Sequence, residues 1–167
     1  MKRLNADSQP ISRQKIGIAE YAVVTDETVL LTSGLGSCLG IVLHDPHEMV
    51  SGLIHVMLPS ISQARDSTPA KFVDTGVPLL IEEMVKVGAR ATRLQAWIVG
   101  GSEMIQFTAS DGSIGSRNIE MARQLVEEYG LQLVGSDVGG NHGRSIAFDP
   151  STAELTIRTA DDTKQTI

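Results

Sequence analysis

Cys38, the single cysteine of the chain, is the first residue whose type and setting could support covalent chemistry. It follows a run of small residues that contains Gly34 and Gly36 and ends with Ser37. Glycines allow a sharp loop with outward-facing N–H groups, and such donors can hold the oxyanion that forms when a thiolate attacks a carbonyl. The alternative is that Cys38 is a small buried hydrophobic residue of the core. Spacing alone leaves both interpretations open.

A thiol needs a base to become a thiolate at neutral pH, and the sequence offers four histidines. His44 and His47 flank a predicted turn and are expected to be exposed, while His142 lies in a glycine-rich loop. His55 lies in an otherwise apolar predicted strand. In a hairpin that turns near His47, Cys38 and His55 would lie roughly opposite each other, with Cβ atoms about 5 Å apart. This pairing favours His55 as the base over a core histidine bonded to the backbone.

A third group commonly orients such an imidazole and fixes its tautomer. No carboxylate has an obvious spacing for this role. Thr32, on the strand that leads into the Cys38 loop, could offer its hydroxyl, although an ordinary strand threonine explains it better on spacing alone.

Other patterns give weaker signals. Asn141 and Arg144 belong to a loop, 139–144, that is a candidate for the substrate side of a site, and a glycine-rich turn between strands explains this loop equally well. His44 and His47 could share a metal ion only with ligands that spacing does not supply, so no metal is expected. The glycines around Leu35 lack the third glycine and the following helix of a dinucleotide fingerprint.

The elements that must position these residues are mostly strands in hairpins. Runs rich in β-branched residues predict strands at 16–24, 28–35, 39–44, 49–58, 94–99, 131–138, 144–148 and 154–158. Apolar residues at helical spacing predict one helix that starts at Thr68 and Pro69 and ends at Gly88, and a second from Ser113 or Ser116 to about Tyr129. The pattern predicts a mixed α/β fold of packed, largely antiparallel β-sheets flanked by helices.

Length and composition narrow the class of protein. The chain has 167 residues, enough for one domain, which we expect at 16–160 between a disordered tail at 1–15 and a mobile tail at 161–167. A net charge of -6 and 4% aromatic residues argue against nucleic-acid binding. No signal peptide or membrane-spanning run is visible, so a cytoplasmic location without membrane insertion is expected.

Several segments, taken in order, resemble the chemoreceptor glutamine deamidase CheD family. They are TSGLGSC at 32–38, GLIHVMLP at 52–59, KFVD at 71–74, PLLIEEM at 78–84, GG at 100–101, SRNI at 116–119 and DVGGNHGR at 137–144. Each segment alone is weak, but the combination is specific, and the likeness runs from about residue 16 to residue 158.

The resemblance implies roles that spacing could not assign. It implies that Cys38 is the nucleophile, His55 the general base and Thr32 the third member of the site. It implies a fold similar to the catalytic domain of deamidating toxins, and an enzyme without a cofactor that converts glutamine side chains of methyl-accepting chemotaxis receptors to glutamate through a thioester. A CheC-type phosphatase is the implied partner. Two alternatives stay open: a regulatory module that chiefly binds this phosphatase, and a cysteine protease.

Overall fold

Two five-stranded sheets and two helices make up the part of the chain that the structure, a computed structural model, describes: residues 11–63, 65, 68–103, 112–161 and 163–167. The strands are β1 (Arg13–Lys15), β2 (Tyr21–Val24), β3 (Val29–Leu35), β4 (Leu39–Asp45), β5 (Val50–Val56), β6 (Gln95–Gly100), β7 (Gln132–Val138), β8 (Arg144–Asp149), β9 (Glu154–Thr159) and β10 (Lys164–Thr166). The helices are α1 (Val73–Lys86) and α2 (Ile114–Glu128).

The strand order places β3 and β5, which carry Thr32 and His55, in different sheets. The first sheet has the order β1-β3-β8-β9-β10 and the second has the order β2-β5-β4-β6-β7. Pairing is antiparallel except between β1 and β3 and between β6 and β7. The mixed α/β class with largely antiparallel sheets is therefore confirmed.

Strands β4 and β5 are buried on both faces, which explains their nearly continuous apolar sequences. Successive side chains of a strand point to opposite faces. On β5, Ile54 packs in the cluster that joins the second sheet to the helices, while Leu53 packs in the cluster between the two sheets. His55 has the same parity as Leu53 and so faces the first sheet. The candidate base therefore lies in the layer between the sheets.

Helix α1 covers the second sheet with the stripe that the spacing predicted. Val73, Val77, Leu80 and Met84 are all buried, and they recur at intervals that keep them on one side of the helix. Val87, the last residue of the predicted stripe, lies beyond the end of the helix and is 50% exposed, so this part of the prediction is wrong. The helix begins at Val73, later than predicted, because the Thr68-Pro69 signal starts a short 3₁₀ turn instead.

Helix α2 starts where the first of two candidate caps predicted. The Ser113 side chain accepts a hydrogen bond from the backbone N–H of Ser116, which satisfies one of the helix's free N-terminal donors. Within the described residues, neither helix combines the length and the apolar character needed to cross a membrane.

The two ends of the predicted domain need correction. β1 lies inside the predicted N-terminal tail and pairs with β3, and β10 lies inside the predicted C-terminal tail and pairs with β9. Both strands are three residues long with exposed side chains, so they give no hydrophobic alternation from which a strand could be predicted. Backbone pairing holds them, and at the C-terminus Ile167 adds partial packing against the core. Residues 1–10 of the predicted tail lie outside the described residues.

Candidate active site

Thr32 and His55 meet in the buried layer between the sheets. Thr32 is 1% exposed and His55 is 0% exposed. The Thr32 Oγ1 atom lies 2.8 Å from Nδ1 of His55, which is hydrogen-bond distance. The backbone of His55 is bonded separately, to Glu20 and Ala19. The imidazole is thus oriented by the side chain of Thr32, and not by the backbone bond expected of an ordinary core histidine.

The hydrogen bonds around Thr32 determine which ring nitrogen of His55 carries the proton. The Thr32 hydroxyl has one proton, and it donates that proton to the carbonyl oxygen of Ile16 at 2.7 Å. Its oxygen must then accept from His55, so Nδ1 is the protonated nitrogen of the neutral ring. The Nε2 atom keeps its lone pair, and it is buried with no hydrogen-bond partner among the described residues. The ring is therefore held in the tautomer whose unprotonated nitrogen is Nε2.

Cys38 lies at the end of the loop between β3 and β4, beside this layer. The side chain is half-buried and packs against the cluster between the sheets. Its predicted position opposite His55 is wrong by two residues, because His55 pairs with Gly40. The hairpin turn is centred one residue later than expected, and this moves every cross-strand partner by two. A shift of two keeps side chains on the same face, so Cys38 and His55 still belong to the same side of the second sheet.

The loop that carries Cys38 is fixed through its carbonyl groups. The Gly36 carbonyl accepts from the N–H of Ser102 at 2.8 Å, and the Cys38 carbonyl accepts from the N–H of Gly101 at 2.9 Å. The Ser37 carbonyl accepts from Nδ2 of Asn118 at 2.9 Å. Three consecutive carbonyls are thus held by donors from outside the loop. This rigidity is what a site needs if backbone groups are to act as fixed dipoles.

The backbone N–H groups of the same loop differ in whether they are already hydrogen-bonded. This difference reduces the number of candidate oxyanion donors. The Gly36 N–H is already bonded to the carbonyl of Gly34, which has a φ of 73° that favours glycine. Among the described residues, the backbone N–H groups of Ser37 and Cys38 make no hydrogen bond to another residue. The N–H groups of Ser37 and Cys38, and not that of Gly36, therefore remain as candidate oxyanion donors.

Gly100 has no room for a side chain because the Cys38 loop packs directly on it. A Cβ atom there would lie 2.2 Å from the carbonyl oxygen of Cys38, and the φ of Gly100 is 118°. This close approach explains why the last residue of β6 is a glycine.

Burial favours the uncharged forms of both candidate catalytic groups. It raises the pKa of the Cys38 thiol, and the opposing effect of the residue's own N–H is smaller. It also lowers the pKa of the His55 imidazole. Each charged form would lose hydration in this layer. At neutral pH the pair therefore rests as a thiol and a neutral imidazole, and His55 stays available as a base at pH values below its ordinary pKa.

Two buried histidines should make the stability of the chain depend on pH. Burial lowers the pKa of both His44 and His55 below the ordinary value of 6.5, so the unfolded chain binds more protons than the folded chain as the pH falls through that range. The contribution of the two histidines to the free energy of unfolding should be complete above this value. It should be lost as pH falls through the two lowered pKa values. A pKa difference of one corresponds to about 1.4 kcal/mol. Urea unfolding between about pH 8 and about pH 5 measures it.

Surface and buried histidines provide the matched test of that dependence. His47→Gln is the surface control, because the side chain of His47 is 70% exposed. His44→Gln should weaken the pH dependence, because one buried titrating group is removed. Equal pH dependence in both variants would contradict this explanation.

His44 is buried, which corrects its predicted exposure. It is 1% exposed, its Nδ1 atom lies 2.8 Å from the Ser51 hydroxyl, and its ring packs against Phe148 with centroids 5.3 Å apart. The reason is that the first sheet covers this end of β4, so both faces of the strand are buried up to its last residue. His47 is exposed, as predicted.

Arg144, the second candidate of the 139–144 loop, is also buried, and its proposed role on the substrate side stays a prediction. It is 4% exposed, and its guanidinium group bonds Asp137 at 3.0 Å, the Ser102 hydroxyl at 2.8 Å and the carbonyl of Gly139 at 2.8 Å. Arg144 therefore ties the 139–144 loop to the end of β6. Asn141 is exposed and lines an open cavity of about 500 Å³, so its proposed role on the substrate side stays a prediction.

Two residues near the loop, Asn118 and Ser102, escaped sequence reasoning. Both sit in or beside segments that carried the family resemblance, but neither follows Cys38 or His55 at a spacing that suggests contact. Only the tertiary fold brings them to the loop. Among the described residues, no group of three or more His, Cys, Asp or Glu side chains could hold a metal ion; the expectation of a cofactor-free site stays a prediction.

The fold and the site together define a mixed α/β protein with a thiol and a threonine-oriented histidine at the layer between two sheets. A family model described as CheD chemotactic sensory transduction matches residues 57–159. The chain belongs to the CheD family, as the resemblance of its segments predicted.

Similar proteins extend this likeness to the segment that holds Thr32, Cys38 and His55. A Haloarcula marismortui protein is 46% identical over 148 residues, which cover 89% of this chain and 86% of that protein. A Natronomonas pharaonis protein is 40% identical over 100% of both chains. A Pyrococcus abyssi protein is 43% identical over 146 residues, which cover 86% of this chain and 90% of that protein. All three are named probable chemoreceptor glutamine deamidase CheD.

Among solved structures, a Neisseria meningitidis protein assigned to the DUF152 family model has a similar fold. The TM-score is 0.50 and the sequence identity is 10%, with 78% of this chain and 63% of that chain covered. This chain thus spans less than two thirds of that protein, and the likeness concerns the fold alone.

Proposed function

We propose that this chain is a protein-glutamine deamidase that converts glutamine side chains of chemotaxis receptors to glutamate and ammonia. The names of its relatives support this activity and this class of substrate. The observation that carries the proposal is the 2.8 Å bond between Thr32 and His55. It leaves Nε2 of His55 without a hydrogen-bond partner among the described residues, in the layer that Cys38 adjoins.

In the first step, the thiol of Cys38 transfers its proton to Nε2 of His55 and the sulfur attacks the amide carbon of the glutamine. The step requires contact between Sγ and Nε2, which catalytic sites often complete only when substrate binds. The carbonyl oxygen becomes an oxyanion, and the N–H groups of Ser37 and Cys38 are its proposed donors. Because both groups start uncharged, proton transfer and attack are coupled, and no thiolate–imidazolium pair has to be held in the buried layer before substrate binds.

In the second step, the tetrahedral intermediate collapses and ammonia leaves with the proton from His55. A thioester then links Cys38 to the substrate side chain. Water gives a proton to Nε2, attacks the thioester and releases glutamate, and the returned proton restores the thiol. Thr32 takes no proton in this cycle; it holds Nδ1–H and stabilises the imidazolium that forms.

The experiment that tests the function uses the purified chain and the cytoplasmic fragment of a methyl-accepting receptor. We expect release of ammonia together with conversion of specific glutamines to glutamate in receptor peptides analysed by mass spectrometry. Unchanged peptides without ammonia would contradict the proposal. Cleaved receptor backbone would instead support the cysteine protease alternative.

Thr32→Val should lower the rate of deamidation by about 10- to 100-fold. The substitution keeps the shape of the side chain but removes the acceptor for Nδ1–H, and an unsatisfied buried donor costs about 1–3 kcal/mol. Thr32→Ser keeps the hydroxyl and should stay within about five-fold of the parent. Steady-state kinetics measure both variants, and similar rates for Val and Ser would show that the hydroxyl does not orient the base.

The cellular setting belongs to the same proposal. The resemblance supports action in the cytoplasm, where the helical signalling part of a receptor lies, and binding of a CheC-type phosphatase as a second, regulatory role. A Cys38→Ala chain that still binds the phosphatase would separate this role from catalysis; loss of both together would argue that they are not separate.

A further inference from the structure

Asn118 links the loop of the candidate nucleophile to the residue that follows the strand of the candidate base. It lies in the second turn of α2 and is 0% exposed. Its Nδ2 atom donates to the carbonyl of Ser37 at 2.9 Å and to the carbonyl of Met57 at 3.0 Å. These carbonyls come one residue before Cys38 and two residues after His55.

The orientation of this amide is unambiguous. Both of its partners are carbonyl oxygens, which can only accept, so the atom that contacts them must be the nitrogen. The Oδ1 atom is buried and has no partner among the described residues. The side chain is therefore held in place by the two bonds it donates.

The bond to Ser37 fixes more than a carbonyl. The Ser37 carbonyl and the Cys38 N–H belong to one planar trans peptide unit, in which C=O and N–H point in opposite directions. When Asn118 holds the carbonyl toward α2, the N–H of Cys38 must point away from α2. That N–H is one of the two proposed oxyanion donors.

The neighbouring peptide unit is held in the same way by a different group. The Gly36 carbonyl accepts from the N–H of Ser102 at 2.8 Å, and its planar partner is the N–H of Ser37, the other proposed donor. The N–H groups of Ser37 and Cys38 are thus each oriented by a hydrogen bond to the carbonyl on the opposite side of the same peptide unit. Only the Asn118 bond comes from a side chain, so only it can be removed by substitution without changing the backbone.

We propose that Asn118 is a positioning residue that orients the Cys38 N–H as an oxyanion donor. The inference rests on the proposed function, because an oxyanion forms only if Cys38 attacks a carbonyl. It predicts a specific defect: the transition state is stabilised less, while thiol reactivity and substrate binding are retained.

Asn118→Ala tests this role, with Asn118→Leu as a second variant that fills the volume without a donor. We expect kcat for receptor deamidation to fall about 10- to 100-fold, less than complete loss of a donor can cost, with KM within about two-fold of the parent. Alkylation of Cys38 by iodoacetamide should stay within about two-fold of the parent, because displacement of iodide at a saturated carbon forms no oxyanion. Equal losses in kcat and alkylation rate, or unchanged kcat in both folded variants, would overturn the proposal.

A probe that does not depend on the receptor separates this proposal from the proposed function. Butyraldehyde adds to the thiol of Cys38: the sulfur bonds to the carbonyl carbon, the carbonyl π bond breaks, the thiol proton passes to Nε2 of His55, and the oxygen becomes an oxyanion that faces the same donors. The aldehyde should protect Cys38 from alkylation, and about ten-fold more aldehyde should be needed in Asn118→Ala. If the parent releases no ammonia from a receptor, the proposed function fails, but the aldehyde comparison still decides the role of Asn118: equal protection in parent and variant would overturn it.

Ser113→Ala is the matched control for damage to the helix. Ser113 caps the same helix without touching the loop, and loss of such a cap costs about 1 kcal/mol of stability. This variant should unfold at a lower temperature and keep the parent kcat. A loss of kcat in Ser113→Ala equal to that in Asn118→Ala would reduce Asn118 to a structural residue and overturn the proposal.

Discussion

Replacing Cys38 with alanine is expected to lower the rate of receptor deamidation by a factor on the order of 10⁴ or more. Cys38 is the only cysteine of the chain, so no second thiol can replace the nucleophile. The oxyanion donors and the base would remain, but without sulfur there is no thioester. An assay of ammonia release measures the loss, and thermal unfolding serves as the control for folding, because the half-buried side chain should be removable at little cost.

Retained activity in Cys38→Ala would contradict the account at its first step. Activity reduced only in proportion to lost folded protein would do the same, because it would make Cys38 the small core residue that the sequence left as an alternative. Cys38→Ser gives a second comparison, because it replaces the thiol with a hydroxyl of similar shape. A hydroxyl is a much weaker nucleophile than a thiol beside an uncharged imidazole, so this variant should also be inactive.

Replacing His55 with alanine is expected to lower the rate by about 10²- to 10⁴-fold, the range in which general bases contribute. The chain offers an unusually close control in His44. Both histidines are buried, and both place Nδ1 2.8 Å from a hydroxyl, that of Thr32 for His55 and that of Ser51 for His44. His44 lies six residues beyond Cys38 along β4, roughly 20 Å away.

His44→Ala should therefore cost comparable stability without a comparable loss of catalysis. Kinetics measured on the folded fraction of each variant make the comparison, and added imidazole should restore part of the activity of His55→Ala only. Parallel losses in the two variants would mean that a buried histidine supports the fold of the sheets and that His55 is not the base.

The layers of the fold could be predicted because they depend on local patterns. Apolar runs bounded by turns gave the strands, and the spacing of Val73, Val77, Leu80 and Met84 gave the face of α1. Two short edge strands were missed because backbone pairing holds them and their side chains carry no alternation. Strand assignment from sequence depends on buried side chains, and these edges have few.

The hairpin between β4 and β5 shows which features of a strand pair residue spacing can predict and which it cannot. Parity predicted that Cys38 and His55 share a face, but the register was wrong by two residues because the turn is centred one residue later. Turn conformation decided this: Met49 adopts a φ of 54°, which a methionine does not signal in advance.

The third member of the site and its supports depend on contacts between distant segments. Thr32 contacts His55 across two sheets, and Asn118 reaches a carbonyl 81 residues earlier in the chain. No periodicity encodes such contacts. The resemblance to a family supplied Thr32, whereas the exposure expected of His44 was wrong because tertiary packing covers that side chain.

An intact-mass measurement shows whether Cys38 forms a covalent link with a receptor glutamine. The reaction is stopped with acid while substrate is turning over, and the mass of the chain is then measured. We expect a mass increase equal to the receptor peptide less ammonia, located on the peptide that contains Cys38 and removed by hydroxylamine, as is typical of a thioester. Conversion of glutamine to glutamate without any such adduct, persisting in Cys38→Ala, would contradict the covalent link.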